Sequence, residues 1–410
     1  MEESKIYKLG EVCTKIGSGA TPKGGKEAYL GGDTSLIRSQ NVLDFSFSWD
    51  GLAYINDEQA SKLNSVELER NDVLLNITGD SVARACIVPD KALPARVNQH
   101  VAIIRGNQSV VLNEYILYYL QFKKQFLLSL SQGGATRNAL TKGMIEKLEI
   151  TLPTLNKQKE IVSILKSLDD KIEVNRRINE NLELQAQALF KSWFIDFEPF
   201  KDGEFVESEL GMIPKGWRVG TLGDICVTNK RSYKGNFTYD IEYIDTGSIT
   251  NNMIDSTQIL KPATDKIPSR ARRAVTEGDI IYSSVRPNQR HYALLFNPSS
   301  NTVVSTGFVV ITAIWSGYRY YIYQYLIQDE IVDKLQAIAE QSVSTFPSLN
   351  AADITNMEIV IPPNDVVGDY AAISCSIREQ IEKNQQESRR LAAIRDTLIP
   401  RLMSGGIKVD

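Results

Sequence analysis

The chain has 410 residues, more than one hydrophobic core usually holds, so two or more domains are expected. Apolar residues at 42% and charged residues at 23%, with no run near the roughly 20 apolar residues of a membrane helix, describe an ordinary soluble globular protein. The net charge of −4 arises entirely within residues 151–213, which carry 8 basic and 12 acidic side chains; residues 1–150 carry 17 of each and 214–361 carry 14 of each. Nucleic-acid binding through bulk positive charge is therefore excluded, and any such face must come from local clustering. The polar start Met1-Glu2-Glu3-Ser4-Lys5, two histidines (His100, His291) and four scattered cysteines (Cys13, Cys86, Cys226, Cys375) argue against a secretory signal, a zinc site and a disulfide framework. A cytoplasmic address is expected.

In chain order, the turn Gly17-Ser18-Gly19-Ala20-Thr21-Pro22-Lys23 comes first. Gly19 and Gly24 have the spacing of a Walker phosphate loop, but Gly25 stands where its lysine belongs. A basic turn able to reach a DNA backbone through Thr21, Lys23 and Lys26 is the better reading. Arg38-Ser39-Gln40-Asn41 follows the apolar Leu36-Ile37. Short β-rich runs then appear at Asp72 to Thr78, at Ala85 to Pro89 and at Val97 to Ile104, the last with Asn98-Gln99-His100 inside a strand. A helical run from Glu114 to Leu130 spaces Tyr115, Tyr118, Tyr119, Phe122 and Phe126 as a packing stripe. Arg137-Asn138 follows a Gly-Gly pair, and Leu148 to Pro153 closes the domain as a strand.

From residue 156 the pattern changes to a coiled-coil seam at Leu165, Leu168, Ile172, Asn175, Asn179, Leu182, Ala186, Leu189 and Trp193. Glu198 to Pro214 reads as a linker and re-entry turn. The chain then repeats itself. Leu9-Gly10-Glu11-Val12-Cys13 returns as Leu222-Gly223-Asp224-Ile225-Cys226, Asn71-Asp72-Val73-Leu74 as Gly278-Asp279-Ile280-Ile281, and the block Leu140 to Pro153 as Leu349 to Pro362. The second seam runs through Ser374, Ile377, Ile381, Asn384, Ser388, Leu391, Arg395, Leu398 and Leu402. Both seams are polar in the middle, which favours an intramolecular antiparallel pair.

The expected fold is mixed α/β (α+β), with curved, mostly antiparallel sheets in two repeated domains and two long helices forming an antiparallel coiled coil, pseudo-two-fold overall. The boundaries are 1–155, 156–197 (first helix), 198–213 (linker), 214–363, 364–404 (second helix) and 405–410 (tail).

Arg pairs bidentately with guanine, and Asn or Gln with adenine. That points to Arg38, Gln40, Asn41, Asn98, Gln99, His100, Arg137 and Asn138 in the first copy. In the second it points to Arg286, Asn288, Gln289, Arg290, Ser305 and Thr306, each either a base reader or a turn residue. Lys266 to Arg273, with Arg272 and Arg273, is either a phosphate contact or a solvated loop. Asn297-Pro298 lacks the second proline and aromatic ring of an adenine-methyltransferase loop. No glycine-rich cofactor turn or carboxylate cluster is evident, so the chain is read as no catalyst.

Together, Gly19-Ala20-Thr21-Pro22, the strand Gly278-Asp279-Ile280-Ile281, the Pro-closed strands, Gln158-Lys159-Glu160-Ile161, Trp193-Phe194-Ile195-Asp196-Phe197-Glu198-Pro199-Phe200 and Gly211-Met212-Ile213-Pro214-Lys215-Gly216-Trp217 resemble the specificity subunit of type I restriction-modification systems. The resemblance covers essentially the whole chain. It implies two target-recognition domains, each reading half of a split sequence in double-stranded DNA. The two helices between them would act as a spacer and as the dock for two methyltransferase subunits, with restriction subunits joining further. S-adenosylmethionine, ATP and Mg are then expected in those partners and no cofactor in this chain. The second copy departs from the pattern: Asn229-Lys230-Arg231-Ser232-Tyr233-Lys234-Gly235 replaces the Gly-Ala-Thr-Pro turn, with Lys230, Arg231 and Lys234 as its candidate DNA contacts. The alternatives are a DNA-binding regulator with a duplicated domain, for which no helix-turn-helix pattern is seen, and a stand-alone methyltransferase, opposed by the missing cofactor loop.

Overall fold

The computed structural model describes residues 4–22, 29, 31–132, 138–233, 237–254, 256–341 and 348–407. The chain divides into two compact units, Met1–Val174 with Glu387–Asp410, and Asn175–Gln386.

In the first unit an antiparallel sheet takes the strands in the order Cys13–Ser18, Val101–Gly106, Val73–Asn76, Ala85–Ile87. A three-stranded sheet pairs Thr34–Ile37 antiparallel with Ala53–Ile55 and parallel with Ala95–Val97. Alternation along the central strands fills two cores. Val73, Leu75, Ala102 and Ile104 face a core shared with the helices, while Leu74 and Ile103 face the one shared with the smaller sheet. Burial on both faces explains why Val73-Leu74-Leu75 is an unbroken apolar run. A separate strand pair, Lys5–Lys8 with Glu149–Leu152, closes the repeat.

The second unit repeats this order. Cys226–Thr228, Phe308–Ala313, Ile280–Ser283 and Tyr292–Leu294 form the antiparallel sheet. Ile241–Ile244 pairs antiparallel with Gln258–Leu260 and parallel with Thr302–Ser305, and Ala271–Ala274 is added at the edge. Arg218–Thr221 pairs with Glu358–Ile361 as the closing pair. The sheets are thus mostly antiparallel, with one parallel pair in each unit.

Three expectations are corrected. The run Val97 to Ile104 is not one strand: the chain leaves one sheet after Val97, turns through Asn98–His100, and enters the other at Val101. The helical run Glu114 to Leu130 breaks at Lys123 into Asn113–Phe122 and Lys124–Ser131. The break re-aims the second segment, so Leu127 enters the core while Phe126 is 52% exposed. The matching segment of the second unit is likewise divided, into Tyr318–Leu326 and Asp329–Glu340. The supposed linker holds a hairpin, Phe205–Ser208 against Gly211–Pro214.

The long helices run Leu155–Phe194 and Asn364–Met403. Within the first unit Lys171 meets Glu387 at 3.1 Å and Asp169 meets Arg395 at 2.7 Å, so the segments run antiparallel. Within the second, Asn384 Nδ2 donates to Asn179 Oδ1 at 2.8 Å and Arg378 faces Glu183 at 3.8 Å, again antiparallel. The polar seam is therefore paired across the helices, as buried amides require. Arg395 is accommodated at a seam position by Asp169 and by the Phe45 ring, 3.6 Å beneath its guanidinium.

Candidate nucleic-acid interface

Register puts several strand ends of the first unit at one rim. Ser18 faces Ala102, Asn76 faces Val101, and Ile37 lies beside Val97 in the parallel pair. The segments that follow these ends, Gly19–Pro22, Arg38–Asn41, Ile77–Gly79 and Asn98–His100, must therefore lie together. Backbone hydrogen bonds tie them: Gly19 N to Val101 O at 2.9 Å, Ala20 N to Val97 O at 3.0 Å, Asn98 N to Ile37 O at 3.0 Å and Gly79 N to Asn138 O at 3.2 Å. Gly19 is required here, because a Cβ would sit 2.1 Å from Val97 O and 2.3 Å from Asn98 O.

The second unit builds the same rim from Thr246–Ser248, Ser284–Val285 and Thr306–Gly307. Ser284 N donates to Gly307 O at 2.8 Å, and Thr306 N to Arg270 O at 2.8 Å. The repeated closing blocks dock at equivalent places. Leu140 N donates to Ile77 O at 2.8 Å, and Leu349 N to Ser284 O at 2.7 Å.

The rim gathers Thr21, Arg38, Gln40, Asn98, Gln99, His100 and Asn138 in the first unit. Thr21 Oγ1 and Arg38 Nε are buried there without a hydrogen-bond partner, and Gln99 and Asn138 are exposed. His100 Nδ1 lies 2.7 Å from Thr78 Oγ1, and Asn98 Oδ1 accepts from His100 N at 3.1 Å. Thr78 was not singled out from the sequence; the match of Asn71-Asp72-Val73-Leu74 to Gly278-Asp279-Ile280-Ile281, carried on by the same offset, places Val285 of the second rim opposite it. Lys23, Lys26, Arg137 and Lys234 lie outside the described residues.

Several candidates are turned inward instead. Asn41 is fully buried: Nδ2 donates to Ser48 O at 3.0 Å and Asp50 O at 3.2 Å, and Oδ1 accepts from Arg38 N at 3.0 Å. A side chain satisfied in that way organises a turn and does not read a base. Ser305 is buried as well, its Oγ accepting from Gly307 N at 3.1 Å. Asn98, only 8% exposed, caps its own turn.

Arg231 serves an ion pair specific to the second repeat. In the first, buried Asp72 takes two bonds from Arg105, at 2.7 Å each, and one from Glu69 N at 2.8 Å. In the second, Thr312 occupies the strand position that Arg105 holds in the first, and Asp279 accepts from it at 2.6 Å. The arginine arrives from another strand end, as Arg231 at 2.5 Å. Arg231 is thus a structural counter-ion, a correction to its reading as a DNA contact. Lys230 beside it is exposed.

Arg272 and Arg273 belong to the edge strand Ala271–Ala274 and are half-buried, so the basic block is not a fully solvated loop. Arg286-Pro287-Asn288-Gln289-Arg290 forms a short 3-10 helix, Pro287–Gln289, between two left-handed arginines. It rests on the helix Asp329–Glu340: Asn288 N donates to Gln336 Oε1 at 3.2 Å, and Arg290 pairs with Asp329 at 2.5 Å. That hydrogen bond pushes the Arg290 guanidinium further above its ordinary value, so it is a permanent cation. Thr306 and Gln289 are exposed.

Burial pushes the Cys13 and Cys86 thiols up to about 12 and that of Cys226 to about 11, leaving negligible thiolate at neutral pH. Among the described residues no group of three or more His, Cys, Asp or Glu is placed to hold a metal ion, and no helix is long and apolar enough to cross a membrane.

The model of the type I restriction-modification DNA specificity domain matches the chain twice, over residues 1–184 and 214–386. The chain is 29% identical to the type I restriction enzyme MjaIX specificity subunit of Methanocaldococcus jannaschii, over 99% of this chain and 93% of that protein. To the HindI specificity subunit of Haemophilus influenzae it is 23% identical, over 99% and 100%. The crystal structure of a type I restriction-modification S subunit from M. genitalium shares the fold, with a TM-score of 0.53 at 13% identity over 98% of this chain and 96% of that one.

Proposed function

The chain belongs to the type I restriction-modification DNA specificity family and is a specificity subunit that recognises a DNA target, and on that premise we propose that each unit reads one half of a bipartite sequence through its rim. The observation that carries this reading is the recurrence of one rim in two units, built from equivalent strand ends and closed by equivalent hydrogen bonds from Leu140 and Leu349. Phosphate contacts from the exposed Lys230 and from the partly exposed Arg290 would set the register, and the polar rim residues would read bases.

The partners in this proposal are two methyltransferase subunits and the restriction subunits, which supply S-adenosylmethionine, ATP and Mg chemistry and modify adenine. The exposed Ile178, Leu184 and Ile373 on the long helices leave apolar side chains open to such partners. No observation favours a free-standing regulator. The test is co-expression with the methyltransferase subunit, followed by base-resolution mapping of methylated DNA, with the native chain and with residues 214–361 exchanged for those of a relative. One half-site should change. Changes in both halves, or methylation that does not need this chain, would refute the proposal.

A further inference from the structure

Arg38, Gln40 and Asn41, taken as base readers from the sequence, spend their polar atoms on a neighbouring loop. Asn41 Nδ2 holds Ser48 O and Asp50 O; Gln40 Nε2 reaches Asp50 O at 3.3 Å and Gly51 O at 3.4 Å; Arg38 donates to Gly51 O. Ser48 N returns a bond to Asn41 O at 2.8 Å. Gly51 has φ +61, and a Cβ there would lie 2.5 Å from Gln40 Nε2, so the clamp needs glycine. The other end of the loop is fixed too. Phe45 N donates to Ala85 O at 2.9 Å, its ring lies under Arg395, and Asp44 accepts from Gln121 at 3.0 Å and from Lys124.

The loop held at both ends presents Trp49. Its indole is 42% exposed and braced edge-on by Phe47, with ring centroids 5.0 Å apart. Because Leu36 pairs with Ala53, the residues just before Ala53 lie beyond Ile37, at the rim described above. The exposed part of this large aromatic side chain is left open at a polar rim, and its ordering cost is met before any ligand arrives. The second unit has no tryptophan at its rim: Trp193 and Trp217 pack in its aromatic core, and Trp315 packs against Tyr318.

We propose that Trp49 is a base-contacting residue of the first repeat, packing its indole against bases of that repeat's half-site, while Arg38, Gln40 and Asn41 act as positioning residues for its loop. The inference rests on the reading of the rims as DNA faces. Aromatic contact with bases is sequence-tolerant in itself; specificity here comes from the fixed placement of the ring.

The test uses the intact complex with the methyltransferase subunits and three duplexes: the mapped target, and the target with either half-site scrambled. Trp49→Ala should weaken binding of the target about tenfold or more. It should leave unchanged both the affinity for the duplex lacking the first repeat's half-site and the salt dependence. Trp49→Phe should keep most of the affinity. The emission lost in Trp49→Phe should be quenched in the native complex by the target and not by the duplex lacking the first half-site. Gly51→Ala, which keeps the indole but displaces the loop, should show the same half-site pattern. Unchanged target affinity with unquenched emission, or equal weakening on all three duplexes, overturns the proposal. A native complex that does not distinguish the three duplexes overturns the underlying reading of the rims together with it.

Discussion

Two glycines two residues apart give the sharpest test of the rim. At Gly19 an added Cβ would meet Val97 O at 2.1 Å and Asn98 O at 2.3 Å, both backbone atoms that no rotamer change can move. Gly19→Ala must therefore push the turn away from Val97–Val101 by about 1 Å. The bonds Gly19 N to Val101 O at 2.9 Å and Ala20 N to Val97 O at 3.0 Å would stretch beyond bonding range. At a net worth of about 0.5–1.5 kcal/mol each, their loss costs about 1–3 kcal/mol. At Gly17 a Cβ meets nothing within 4 Å. Gly17→Ala, inside the strand Cys13–Ser18, should be neutral or stabilise by up to about 1 kcal/mol, because alanine has less backbone entropy to lose. Urea unfolding of both variants measures the difference, followed on the transition of the first unit, since two units need not melt together. Binding of the mapped target should fall in Gly19→Ala and persist in Gly17→Ala, with the loss at one half-site. Equal stability and equal binding in the two variants would refute the reasoning that the Gly19 turn is welded to the rim.

Further outcomes follow from the buried charges and amides. Asp72→Ala leaves Arg105 and the Glu69 amide without their buried acceptor and should cost about 3–5 kcal/mol in urea unfolding; a loss under about 1 kcal/mol would mean Glu69 and solvent suffice for Arg105. Asn384→Leu strips Asn179 Oδ1 of its donor and should destabilise by about 1–3 kcal/mol, while Asn179→Leu with Asn384→Leu should recover most of that loss in a double-mutant cycle. Asp329→Ala removes an 83% exposed partner of Arg290, so stability should stay within about 1 kcal/mol while duplex binding at low salt strengthens. Weaker binding would show that Asp329 holds Arg290 in its DNA-contacting pose.

What the sequence determined by itself was everything that repeats or has a period. The duplication, the Pro-closed strands, the tyrosine stripe as far as its break at Lys123 and the long seams could be read because burial imposes a periodicity on apolar side chains, and two copies of one pattern confirm each other. The amides Asn175, Asn179 and Asn384 stood out for the same reason, as polar breaks in an apolar seam. Tertiary structure alone decided the use of each polar side chain, because a hydrogen bond depends on which segments converge. Arg38 and Asn41 look alike on paper to Gln99 and Asn138, yet the first two hold a loop while the last two are exposed. Arg231 reads as a DNA contact until Thr312 is seen in the place of Arg105, which leaves Asp279 needing a cation from another strand end. Trp49 escaped notice because a single exposed aromatic has no period; only the strand register that sets the loop Phe47–Gly51 at the rim marks it out.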